Sequence, residues 1–373
     1  MKNYYFLSQP HQPFFTLAIV NAIIFMLIFA LSFNAKVQLT IDPLTFHSYS
    51  IIYLVFTPAF LGFLLTTFTR FSQMPPIIKS EYLKIFYPIL VASLLFFLAS
   101  LFFMNLLYLA KILILFSQIY TLFIFFNIYK NSPLPDKYDQ KWIMIAWGFG
   151  IVADLSSLLF TQLSNKIAVY LYLILLSFTI AQRMVPFFSH VLIDKNKKII
   201  PFVSVLFGLK VMVNYFGFGF GSIFSLIAGV LIVKELIRWR LSWRKDEPII
   251  WILHLAIYWL PIALIFGSIT NIAQNIFDKD LLALDIHLLV LGFLTTIFVG
   301  FGTRVTLGHS GSAMIIDNYT KVLFYMTQIV LYFRILYSFI GSNILYNTTI
   351  FLWIALFIAW GFRYLPLLVR GRV

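Results

Sequence analysis

Imidazole, guanidinium and carboxylate groups are rare in this chain, and they fall in a few short clusters. One run reads Asp285-Ile286-His287. It is followed by Gly300-Phe301-Gly302-Thr303-Arg304-Val305-Thr306-Leu307-Gly308-His309-Ser310-Gly311. A second cluster is Phe46-His47-Ser48-Tyr49-Ser50, and a third centres on Trp251-Ile252-Leu253-His254. Neutral imidazole is the commonest biological metal ligand and the usual axial ligand of b-type haem. A guanidinium suits a carboxylate such as a haem propionate. The chemistry these residue types offer is therefore metal or haem ligation with an anion clamp beside it.

The elements that must position them are membrane helices. The chain has 373 residues, 61% hydrophobic and 11% charged, whereas soluble domains carry about 25% charged residues. Twelve stretches have the roughly 20 apolar residues that a bilayer span needs. They lie at about 14–34, 49–69, 85–106, 108–129, 142–162, 167–188, 200–217, 219–239, 249–271, 281–303, 321–341 and 346–368. The third and fourth nearly touch at Met104-Asn105, and the seventh and eighth meet at the Gly217–Gly221 turn. The sequence predicts an all-α polytopic protein, one integral-membrane domain over 1–373 with no soluble domain. The segment from Met1 to His11 is polar and the apolar run after it is too long for a signal peptide, so the first span reads as a permanent helix. With no cysteine, disulfides, thiolate metal sites, iron–sulfur clusters and covalent haem are excluded.

The net charge of +14 is a topology signal. Twelve spans place the N-terminus, the even-numbered connections and the C-terminus on one side. Twenty of the 27 basic residues fall there, among them Lys2, Arg70, Lys195, Lys197, Lys198, Arg238, Arg240, Arg244, Lys245, Arg304, Arg370 and Arg372. The other side has Lys36, Lys111, Lys166 and Lys279. The positive-inside rule then puts both termini in the cytoplasm and removes nucleic acid as a partner.

This topology sorts the polar groups. His47 and His287 belong to the outer half, with His287 ~9 Å inside its span at 1.5 Å per residue. His254, ~8 Å deep by the same rise, and His309 belong to the cytoplasmic half. Two pairs at two depths are expected, since ~25 Å separates His287 from Arg304 along one helix. His11 and His190 sit in polar flanking segments and read as bonded to backbone or lipid. Asp154, Lys210 and Arg334 fall near mid-membrane at similar depth, where pairing would lower the cost of burying each.

These motifs resemble the NnrS family. Thr303 to Gly311 is similar to its Thr-Arg-Val-Ser-Leu-Gly-His-Thr-Gly signature. His11-Gln12-Pro13-Phe14-Phe15 resembles its opening Phe-Arg-Pro-Phe-Phe, and Gly62-Phe63-Leu64-Leu65-Thr66 matches its second span. Gln182-Arg183-Met184-Val185-Pro186-Phe187-Phe188, then His254 with Trp259-Leu260-Pro261, then His287 with Gly292, and Arg363-Tyr364-Leu365-Pro366 follow in the family's order. The resemblance implies a twelve-span protein of the bacterial cytoplasmic membrane containing b-type haem and copper. It implies a role in denitrification and in relief of nitric-oxide and nitrosative stress. Carried over residue by residue, it marks His47, His254, His287 and His309 as metal ligands, and Arg183 and Arg304 as cofactor-binding basic residues beside His254 and His309. One departure stands out. The family's second span opens Trp-His-Ala-His-Glu-Met, where this chain has Phe46-His47-Ser48-Tyr49-Ser50-Ile51. Tyr49 replaces a histidine and is expected to act as an interfacial anchor.

Three functions follow from these readings. The first is a haem- and copper-containing membrane protein that binds nitric oxide. The second is a proton-coupled secondary transporter built on Asp154, Lys210 and Arg334, although no internal repeat relates the two halves of the sequence. The third is an electron-transfer protein holding haem between His254 and His309. Its loops offer no docking domain, so a redox partner would be small or a lipid-soluble quinol.

Overall fold

The computed structural model describes residues 5–241, 247–278 and 280–371. Lys2, Arg244, Lys245, Lys279 and Arg372, used above to orient the chain, lie outside them. The described residues form helices and no strand. A helix stands at each of the twelve expected positions. They are α1 (His11–Phe33), α2 (Pro43–Phe71), α3 (Lys79–Leu101), α4 (Leu106–Asn131), α5 (Tyr138–Ser156) and α6 (Thr161–Phe188). After these come α7 (Ile199–Tyr215), α8 (Ser222–Trp239), α9 (Pro248–Phe277), α10 (Leu284–His309), α11 (Asn318–Ile340) and α12 (Asn343–Arg370). Among the described residues, nine are long and apolar enough to cross a membrane. The other three miss for identifiable reasons. Helix α7 has 17 residues. Helix α5 carries Asp139, Lys141 and Asp154, and α8 carries Lys234, Glu235 and Arg238.

Local chemistry sets the ends. Asp42 caps α2 by accepting from the Thr45 backbone N–H at 2.8 Å, with Pro43 at the first helical position. Asp317 caps α11 through Thr320 in the same way. Both provide an acceptor for N–H groups that a helix start leaves unpaired. Gly341, at φ +72°, ends α11 in the left-handed region that glycine enters without penalty. Helix α5 stops at Ser156, earlier than expected. Leu158, Leu159 and Phe160 extend the apolar run in the sequence but form a turn, with Leu159 79% exposed. Asp154 therefore lies in the last turn of α5 rather than mid-span.

The chain divides into two compact units, one of Met1–Ala168, Gly302–Met314 and Ile354–Val373, the other of Val169–Phe301 and Ile315–Trp353. In the first, α1 packs along α2, α3 along α4, and α4 along α5. In the second, α7 packs along α8, α8 along α9, and α9 along the first half of α10.

Three helices have a widened, π-helical stretch: Ser50–Phe56 in α2, Ala168–Ile174 in α6 and Leu288–Thr295 in α10. These are also the most deeply buried spans, at 94, 83 and 78%, against 39–61% for the other six. The stretches recur every fourth helix, and each π-bearing helix is followed by two helices joined by a short turn. So the π stretches are evenly spaced, four helices apart. A comparison of the two halves does not bring out this spacing, because a half contains one and a half of the intervals.

A π stretch displaces carbonyls from the regular i–4 ladder, and π turns concentrate at functional sites. Here side chains add donors to these carbonyls. Thr57, Thr295 and Thr296 each donate a hydroxyl to the carbonyl five residues back. Asn21 of α1, 4% exposed, donates from Nδ2 to the Leu54 carbonyl at 2.7 Å and to Ser93 Oγ at 3.0 Å. Replacing Asn21 by Leu leaves that buried carbonyl without its donor, which costs about 1–3 kcal/mol. Asn21→Leu is expected to lower the thermal midpoint of the detergent-solubilised protein, while Asn21→Gln keeps part of it. An unchanged midpoint in Asn21→Leu would show that the π stretch does not depend on this donor.

Candidate functional site

In the first unit, Asp154 is 2% exposed and accepts from Tyr49 Oη at 3.0 Å and Gln118 Nε2 at 2.9 Å. Lys111 Nζ lies 5.0 Å from the centre of the Tyr49 ring and donates to the Ser157 carbonyl at 2.9 Å. Tyr49 is 3% exposed. The expectation of an interfacial anchor is therefore corrected: its hydroxyl is consumed by a buried carboxylate. The sequence hid this because tyrosine at a helix start usually faces the membrane interface.

The second unit contains a constellation of the same type. Asp285 accepts from Tyr170 Oη at 3.1 Å, Asn271 Nδ2 at 2.9 Å and Lys210 Nζ at 3.4 Å. Lys210 Nζ also lies 4.3 Å from the centre of the Tyr170 ring. In both units a tyrosine hydroxyl and a side-chain amide hold one carboxylate, and a lysine sits over the tyrosine ring. The two differ in one respect: Lys210 forms an ion pair with Asp285, whereas the Lys111 ammonium is directed to a carbonyl. Cation–π contact in such desolvated places is worth about 2 kcal/mol. Helix α9 approaches closely enough that a Cβ on Gly267 would stand 2.7 Å from Asp285 Cβ. The mid-membrane charges thus have partners of their own. Lys210 has Asp285, and Asp154 has Tyr49 and Gln118. Arg334 donates to the Leu282 carbonyl and Ser338 Oγ, and stands over the Tyr337 ring. Tyr170 carried no functional expectation beforehand, and Asp285 was marked only as part of its run with His287, since only tertiary proximity joins the two.

His287 lies beside that network. Its Nδ1 is 2.9 Å from the Ala283 carbonyl oxygen and 3.1 Å from Arg334 Nη2. A guanidinium only donates, so both contacts cannot be hydrogen bonds in one tautomer. With the proton on Nδ1 toward Ala283, the lone pair is on Nε2. That is the arrangement of an imidazole oriented through one nitrogen to ligate a metal through the other. His254, 1% exposed, engages Ser189 Oγ through Nε2 at 2.6 Å. A metal at that nitrogen would have to displace Ser189. Arg183 lines an open cavity of about 730 Å³ together with Gln182, His190, Arg238 and Trp239, within the usual range for ligand sites.

In the first unit, His47 stacks on Phe29 with ring centres 4.3 Å apart. His309, half-buried at the end of α10, meets His11, not expected to take part, with ring centres 4.8 Å apart and an interplanar angle of 43°. His11 is 1% exposed, so its reading as a polar flanking residue bonded to backbone or lipid is corrected. Arg304 is half-buried on α10, five residues before His309. His254 and His309 belong to different units, as do His47 and His287. Among the described residues, no group of three or more His, Cys, Asp or Glu side chains gathers around a common point.

The motifs that stood out in the sequence meet in pairs. A Cβ on Gly62 would fall 2.6 Å from the Phe15 ring, so the opening motif packs directly on the second-span motif. Gly292 presents its backbone to Trp259 at 3.0 Å from the ideal Cβ position. Trp360 donates to Thr303 Oγ1 at 3.0 Å. An all-helical chain with this many apolar helices is a multi-pass membrane protein. The family model for NnrS protein matches residues 5–372, nearly the whole chain, and the protein belongs to that family. A comparison with curated proteins returns no match.

Removing one member of a buried ion pair strands the other charge, at a cost of about 3–5 kcal/mol. Asp285→Asn and Lys210→Met are each expected to lose most of the folded protein recovered in detergent. The double variant should recover part of that loss. Additive losses in the double variant would show that the two side chains are not coupled.

Proposed function

We propose that this protein is a twelve-span NnrS-family protein of the bacterial cytoplasmic membrane, with both termini cytoplasmic, acting in the nitric-oxide and nitrosative-stress response. Two sets of observations support that topology: the helix at each expected position and the one-sided distribution of Lys and Arg. Membership of the family over residues 5–372 carries the functional reading.

The residues present fit a haem-type ligand at one histidine in particular. His287 has its Nδ1 at the Ala283 carbonyl, which orients Nε2 as a donor to iron. A b-type haem there would supply an iron able to bind nitric oxide. Arg183, on its cavity, and Arg304 offer guanidinium groups to propionates or other carboxylates. His47, His254 and His309 are the further imidazoles for metal. The chain's own work is to orient these rings, neutralise carboxylates and keep water from the bundle. Lipid is the one partner its surface requires. Quinol is the reductant consistent with its short loops.

The carrier reading has one supporting observation, the buried Lys210–Asp285 pair with Tyr170. Such intramembrane ionisable groups mark proton and ion paths by default.

A visible spectrum of the purified protein separates the two. A Soret band that moves on reduction and again on adding nitric oxide is expected, and His287→Ala should remove or shift it. Absence of haem in the folded protein would overturn the nitric-oxide reading and favour proton-coupled transport. A spectrum unchanged in His287→Ala would overturn the ligand assignment.

A further inference from the structure

We infer that the cavity at the ends of α6 and α8 holds the headgroup of one anionic phospholipid, its phosphate at Arg183 and a headgroup hydroxyl at Gln182. The inference goes beyond the metal reading and does not depend on it.

Helical spacing builds this cavity within the second unit. Arg183, Pro186 and Phe187 stand three and four residues apart on α6, so they share one face. On α8, Glu235, Arg238 and Trp239 do the same. With the connection that follows α6, they enclose about 730 Å³. Glu235 is fully occupied: its oxygens accept from Arg238 Nε and Nη2, Trp239 Nε1 and Asn196 Nδ2 at 2.7–3.2 Å. It fixes the Arg238 guanidinium, whose Nη1 also donates to the Asp194 carbonyl at 2.7 Å.

Three features select the occupant. The first is charge. Arg183, Lys195 and Arg238 line the cavity against Asp194 and Glu235, which leaves one positive charge. Basic pockets at the ends of membrane helices are where anionic headgroups bind. A phosphodiester carries a single negative charge, and a guanidinium takes phosphate oxygens in pairs. The second is position. The cavity lies where α6 ends, and exposed Phe187 and Leu192 form part of its wall beside the cations. A soluble anion gains nothing from that apolar wall, whereas the acylated glycerol of a lipid does. The third is an unpaired acceptor. Gln182 is 5% exposed and donates from Nε2 to the Asn196 carbonyl at 2.9 Å, which fixes the orientation of its amide. Its Oε1 has no hydrogen-bond partner. That oxygen calls for a donor in the ligand, which a phosphodiester lacks and a free headgroup hydroxyl supplies. Phosphatidylethanolamine would bring a donor, but as an ammonium set against Arg183 and Lys195. Phosphatidylglycerol brings both the single negative charge and the hydroxyl.

Lipids are titrated into the delipidated, detergent-solubilised full-length protein, and bound copies are counted by native mass spectrometry. One tightly held phosphatidylglycerol is expected, with phosphatidylethanolamine at least about 10-fold weaker. Arg183→Gln should weaken phosphatidylglycerol by about 10-fold, the scale of a hydrogen bond to a charged group. Arg240→Gln, which removes an equal charge from the same helix end but lines a different cavity, should leave it unchanged. Phosphatidylethanol has the same charge and no hydroxyl. The wild type should prefer phosphatidylglycerol to it by about 5-fold, and Gln182→Leu should abolish that preference. Each variant is checked by a monodisperse elution profile. Wild-type affinity in Arg183→Gln, or an equal loss in Arg240→Gln, overturns the site. Equal binding of phosphatidylethanolamine overturns the selection by charge. Competition by glycerol phosphate as strong as by the intact lipid overturns the lipid and leaves a free anion. A Soret band lost in Arg183→Gln with lipid affinity unchanged assigns the cavity to a haem propionate instead. Absence of haem from the protein would sink the nitric-oxide reading without moving any of these lipid affinities.

Discussion

No water reaches the hydrocarbon around these helices, so every polar group inside has to be satisfied by the protein itself. The rest of the structure follows from that constraint. The π-helical stretches of α2 and α10 survive because threonine hydroxyls and Asn21 meet the carbonyls they displace. Asp154 and Asp285 are tolerated because each has a tyrosine hydroxyl and an amide to donate to it.

The repeated arrangement explains why chemistry collects where it does. Helices α2, α6 and α10 are the most buried, and each has its ionisable or hydrogen-bonding residues at or just before its π stretch. His47 and Tyr49 precede Ser50, Tyr170 lies within Ala168–Ile174, and Asp285 and His287 precede Leu288. A widened turn shifts the register of the side chains that follow it. Polar residues at the helix start and apolar residues beyond can then both face protein. Lysine from a neighbouring span completes the set in two repeats. In the third, Arg334 stands over Tyr337 and reaches toward His287.

Much of this was legible in the sequence, for physical reasons. Hydrophobic length marks a helix wherever 20 or so apolar residues occur, and all twelve helices appear at their expected places. The turns at Phe102–Asn105 and Phe216–Gly221 divide the two closest pairs as Met104-Asn105 and Gly217 suggested. The motifs of the family were visible because glycine and aromatic residues cannot be exchanged where Gly62 meets Phe15 or Gly292 meets Trp259. The partners were not legible. Nothing in the neighbourhood of Tyr49 announces Asp154, 105 residues away, and nothing near Lys210 announces Asp285. Nor does a histidine at position 11, in a polar flank, announce a ring 4.8 Å from His309. The threefold pattern was missed because apolar spans look alike in composition, and only backbone hydrogen bonding distinguishes a π stretch.

The central claim is that imidazoles in this bundle hold metal. Anomalous diffraction at the iron and copper edges from crystals of the full-length protein tests it most directly. The account predicts an iron peak beside His287 and, if copper is present, a peak at one of the other buried or half-buried imidazoles. Peaks remote from every histidine, or none at either edge in metal-replete protein, would contradict it.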